Sequence, residues 1–112
     1  MDPVVASWCE ALERILVEHA SVPYAHGDVH TEVVVDRERG RYLLVDLGWE
    51  GLSRVHGALV HVDVIDGKFW IQYDGTEEGV ATELVAAGVP HDRIVLAFKH
   101  PLIRPHTDFA VA

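Results

Sequence analysis

Cysteine is nearly absent: Cys9 is the only one among 112 residues. No intrachain disulfide can form, and a zinc site built on several cysteines is excluded. Basic residues are scarce too. Nine Lys and Arg stand against eighteen Asp and Glu, a formal net charge of −9 at pH 7. A chain that acidic does not grip phosphate backbones by bulk electrostatics, so strong direct nucleic-acid binding is not expected and basic proteins make better partners. Long apolar runs are missing: none approaches the roughly 20 residues that span a bilayer. No basic segment followed by an apolar run opens the chain in the manner of a signal peptide. A cytoplasmic protein without a membrane partner is the expectation. No phosphate loop, dinucleotide fingerprint, metalloprotease helix motif or nucleophile elbow occurs. Accordingly no cofactor, metal site or catalytic residue is expected, and the chain is not read as an enzyme.

Hydrophobic residues make up 49% of the chain, enough for one core in a single domain, residues 1–112. Val5, Trp8, Cys9, Leu12, Ile15, Leu16 and His19 recur at three- and four-residue steps, which predicts an amphipathic helix over 3–20 with Pro3 in its first turn. A loop is expected over 21–28. Runs rich in β-branched and aromatic residues follow at 30–36, 41–48, 54–65 and 68–73. Gly40 and the pair Asp66-Gly67 supply two hairpin turns. A second helix is expected near 77–87, with Glu77 and Glu78 in its first turn, then a fifth strand over 93–98 and an extended tail. The fold class is α+β: an antiparallel meander sheet of four to five strands with an N-terminal helix and a second helix near 77–87.

The stretch "HVDVIDGKFWIQYDGTEEG" (61–79) concentrates acids that could mark a metal-dependent nuclease. Most have local explanations, since Asp66 makes a turn and Asp74, Thr76, Glu77 and Glu78 begin a helix. Alternation along the strands leaves Asp46, His61 and Asp63 on the less buried sheet face. A metal-dependent enzyme using these three is one alternative, but no recognised ligand spacing supports it. Leu44, Leu59, Trp70 and Gln72 are expected on the same face. Apolar and polar groups mixed in this way suit a protein interface. The candidate interface is therefore Leu44, Asp46, Leu59, His61, Asp63, Trp70 and Gln72, with a homo-oligomer as one use of it.

"ASVPYAHGDVHTE", "DGTEEGVATELV", "GVPHDRIVLAF" and the terminal "FAVA" closely resemble the XisI-like family, the fdxN element excision controlling factors found mainly in cyanobacteria. The resemblance covers nearly the whole chain. It implies a small α+β accessory protein for programmed excision of a DNA element, in which a separate recombinase performs the strand chemistry. It also implies a partner, an XisH-like protein of nuclease fold. No catalytic residue carries over from the family. The two readings together point to a non-catalytic factor acting through protein contacts. An antitoxin-like acidic inhibitor of a partner nuclease is the alternative.

Overall fold

The computed structural model describes residues 2–24 and 27–112. Residues 25 and 26, in the loop expected over 21–28, lie outside them. Helix α1 spans Pro3–Ala20. The Asp2 carboxylate accepts the Val4 N–H at 2.7 Å, satisfying one of the free donors of the first turn. The apolar stripe buries Val5, Cys9, Leu12, Ile15 and Leu16, as its spacing requires.

Four antiparallel strands follow: β1 Asp28–Asp36, β2 Arg41–Glu50, β3 Ser53–Ile65 and β4 Lys68–Asp74. The β3–β4 turn places Asp66 at φ 50° and Gly67 at φ 75°, both left-handed, as a tight hairpin that follows the strand twist demands. The fifth strand, β5 Ile94–Leu96, completes the order β1-β2-β3-β4-β5. It pairs with β4 in parallel, so the meander ends at β4. The cause is the connection: helix α2, Val80–Ala86, lies between β4 and β5, and a crossover of that kind returns the chain in the same direction.

Both helices pack on one face of the sheet. Tyr42 and Leu44 of β2, Val60 and Val62 of β3, Phe69 and Ile71 of β4, and Ile94 of β5 meet Leu12 and Leu16 of α1 and Leu84 of α2 in one cluster. Leu44, Leu12 and Leu84 are fully buried, and each such side chain contributes about 1.5–3 kcal/mol of hydrophobic stabilisation.

Three expectations need correction. Helix α2 begins at Val80 and not near 77. Asp74 reaches over the intervening turn instead: its Oδ1 accepts the Thr76 N–H at 2.9 Å and its Oδ2 accepts the Val80 N–H at 2.7 Å. Glu77 and Glu78 therefore stand in the bend before the helix. Strand β5 is three residues long, since a 3₁₀ turn takes Arg93 and a further turn takes Ala97 and Phe98. The tail is not simply extended. It passes through a 3₁₀ turn at Arg104–His106 and returns to β5, where the Ala110 N–H donates to the Ile94 oxygen at 2.9 Å. Phe109 packs on the core and stacks against His91 at 5.3 Å.

Candidate functional site

The sheet face turned away from the helices is the candidate surface. Register assigns its side chains. Arg41 pairs with Asp63 and Asp63 with Trp70; Leu43 pairs with His61 and His61 with Tyr73. All but Tyr73 alternate with the buried Tyr42, Leu44, Val62 and Ile71, so they share the open face, and a register shift between His61 and Val62 brings Tyr73 to it as well. Val34, 47% exposed, and Tyr73, 52% exposed, lie on it beside the partly exposed Leu43, Val45 and Leu47.

Asp63 is the polar hub of this face. Its Oδ1 lies 2.9 Å from His61 Nε2, its Oδ2 accepts a hydrogen bond from Gln72 Nε2 at 3.3 Å, and Arg41 Nε stands 4.0 Å away. The carboxylate is thus met from three strands. Two guanidinium groups cover the two tryptophans of the face: Arg54 lies 5.3 Å from the Trp49 ring and Arg104, from the tail, 5.6 Å from the Trp70 ring. Contacts of that geometry contribute about 0.5–1 kcal/mol each where solvent reaches them.

Of the seven residues expected together, the structure brings together His61, Asp63, Trp70 and Gln72. The other three lie on the opposite face. Leu44 is wholly buried under the helices. Strand β2 is apolar on both sides, and alternation alone does not say which side is core; the pairing of Leu44 with Val60 decides it. Asp46 shares that parity and accepts the Thr31 hydroxyl at 2.7 Å. Leu59 is displaced by a bulge. Leu44 pairs with Val60 and Val45 with Ala58, which leaves Leu59 unopposed, and its side chain turns to the core side. A second shift, between His61 and Val62, leaves Gln72 as the extra residue of β4 and sends Tyr73 to the open face and Asp74 to the helix side. That switch is what lets Asp74 cap α2.

The helix side holds a cleft of about 350 Å³, lined by His19, Tyr24, Thr31, Leu59 and Glu78 among others. The Tyr24 phenol is pushed above its ordinary pKa, first by partial burial and then by the neighbouring Asp46 carboxylate. His19 Nε2 lies 2.6 Å from Glu83 Oε1, and ligand atoms of His19, Glu78 and Glu83 fall within 4.8 Å of one another. One imidazole nitrogen and two carboxylate oxygens are donors a divalent cation can use. The 2.6 Å contact equally serves to tie the end of α1 to α2. Sequence reasoning missed this group because His19 and Glu83 are 64 residues apart and each fits its own helix. Cys9 is buried against Tyr42, and burial pushes its thiol pKa up, which suits a core residue and not a nucleophile.

The architecture is thus an α+β layer with two helices on one sheet face and a mixed apolar and polar surface on the other. A family model described as XisI protein matches residues 1–111, and the chain belongs to that family. A solved XisI-like protein from Anabaena variabilis ATCC 29413 is 36% identical, with 96% of this chain and 99% of that one covered and a TM-score of 0.88. A second solved protein, the fdxN element excision controlling factor XisI of the same organism, is 29% identical over 96% of this chain and 98% of that one, with a TM-score of 0.82. Comparison with curated proteins found no match.

Proposed function

We propose that this chain is a non-catalytic controlling factor for excision of a DNA element and that it acts through protein contacts. The observation that carries the reading is the end-to-end relationship to a solved excision controlling factor, in both sequence and fold. The charge distribution supports contacts with protein over contacts with DNA, because the net −9 opposes a phosphate backbone. The open sheet face around His61, Asp63, Trp70 and Gln72 is one surface suited to protein contacts. The partner is part of the excision machinery: an XisH-like protein of nuclease fold, or the recombinase itself. The metal-enzyme alternative loses its constellation, since Asp46 lies across the sheet from His61 and Asp63 and is engaged by Thr31.

The test is complementation. In cells that carry the element and lack their own controlling factor, expression of this chain should restore the excision junction. Its absence, with the protein folded and expressed, would overturn the proposal. The inhibitor reading is favoured by one feature: outside the open face, acids far outnumber bases. It predicts that the nuclease-like partner is toxic alone and harmless when this chain is co-expressed.

A further inference from the structure

We infer that the open face is occupied by a second copy of this chain, the two sheets packed face to face about a twofold axis running along β3. This rests on the reading of that face as a protein interface and names its occupant.

Charge is the first argument. The face carries four acids, Asp28, Glu32, Asp36 and Asp63, and four bases, Arg41, Arg54, Lys68 and Arg104. It is neutral in a chain of net charge −9, so the entire excess lies on other surfaces. Two copies repel one another through those surfaces and not through this one.

The arrangement of the charges selects the axis. Three of the acids stand on β1, the outer strand, whereas Lys68 and Arg104 stand at the β4 side. Asp36, Arg41, Asp63 and Trp70 form one row across the sheet, with Arg104 over the Trp70 ring at its far end. A twofold axis along β3 turns that row end for end. Asp36 of each copy then lies toward Arg104 of the other, and Arg41 toward the Trp70 ring. An axis across the strands would instead set the β1 acids against themselves. An isologous contact needs one patch that complements itself; the two ends of this row do so for the first axis and not for the second, while the β3 charges Asp63 and Arg54 meet their own copies. Asp63, near the axis, brings His61, Gln72 and Arg41 with it, so neither carboxylate is buried without counter-groups.

Apolar groups and size agree. The axis exchanges β2 with β4, so Leu43 of one copy, in the row Leu43, His61 and Tyr73, meets Tyr73 of the other. Strands β1–β4 stand about 4.8 Å apart and run to about 30 Å, which projects roughly 500 Å². Side-chain relief raises the accessible area toward the ~800 Å² per partner of a stable interface. Pairing through the β1 edge is the competing arrangement, and the charges at Asp28, Glu32 and Asp36 oppose it.

Sedimentation equilibrium of the full chain, from about 1 to 100 µM, should show a mass twice its 12.4 kDa. Val34→Lys, at a half-exposed site of this face, should raise the dissociation constant at least about tenfold with the far-ultraviolet spectrum unchanged. Ala58→Cys, on the axis strand, should cross-link to its own copy under a short bifunctional thiol reagent, and Val34→Cys should not. A dimer indifferent to Val34→Lys overturns the choice of face. Cross-linking by Val34→Cys with Ala58→Cys silent overturns the axis. A monomer at every concentration overturns the occupant, and the excision assay then separates two cases. If Val34→Lys abolishes excision, the face is an interface for another protein. If it leaves excision intact, the interface reading falls as well.

Discussion

The two faces of the sheet come from the same strands, yet they use their residues differently. On the helix side, Tyr42, Leu44, Val60, Val62, Phe69 and Ile71 are apolar and closed to solvent. On the other side, apolar groups sit among paired charges: Asp63 with His61 and Arg41, Arg54 over Trp49, Arg104 over Trp70. One face must exclude water for the fold to exist. The other meets water now and carries its polar groups already partnered, so covering it leaves few charges bare. The contrast separates a core face from an open face more sharply than hydrophobicity does, because Leu43 and Leu44 are chemically the same.

The largest effect should come from those neighbours. Leu44→Ala should destabilise the fold by about 2–5 kcal/mol, whereas Leu43→Ala should cost less than about 1.5 kcal/mol, part of its side chain being already wet. Urea unfolding of both variants checks this, and equal losses would erase the distinction between the faces. Next comes Trp70→Ala. It should weaken association through the open face by about 2 kcal/mol or more, roughly thirtyfold, while the chain stays folded. Calorimetric titration of the dimer or of the excision partner measures it. Unfolding of the free chain would instead make Trp70 core.

Asp74→Ala acts on the helix side alone. It removes the acceptor of the Thr76 and Val80 N–H groups and should lower stability by about 1–2 kcal/mol with association unchanged. A shift in association as well would mean the faces are coupled through β4. The smallest effect concerns Asp36, whose pKa is held below 3.8 by hydrogen bonds from the Arg39 backbone and side chain. A folded-state pKa below the unfolded one makes its contribution complete above that unfolded value and lost as pH falls through the folded one. Wild type and Asp36→Asn should therefore differ slightly near pH 7 and converge as pH falls below the folded-state pKa. For a site this exposed, a large gap that persists in acid would point to a cause other than this carboxylate.

Much of the architecture was legible because it rests on local chemistry. The α1 stripe, Pro3 in its first turn, and Asp66-Gly67 between two β-rich runs each act within a few residues. The site was legible only in part. His61, Asp63, Trp70 and Gln72 were assembled by simple alternation in β3 and β4. Leu59 escaped because a bulge shifts parity, and no residue type announces a bulge. Leu44 and Asp46 escaped because β2 reads as apolar on both sides. The parallel pairing of β5 was hidden in the α2 crossover, and the group of His19, Glu78 and Glu83 in a long sequence separation.

By itself the sequence determined the class of fold, the order of its elements from α1 to β5, the hairpins, and an acidity that argues against direct DNA binding. These follow from periodicity, turn geometry and net charge, none of which depends on distant contacts. Only the tertiary structure decided which side of β2 is core, where Asp46 and Leu59 point, that the tail returns to β5, and that the charges of the open face cancel. Each of these depends on register between strands. A shift of one residue in pairing exchanges the two faces, and only packing against α1 and α2 selects between them.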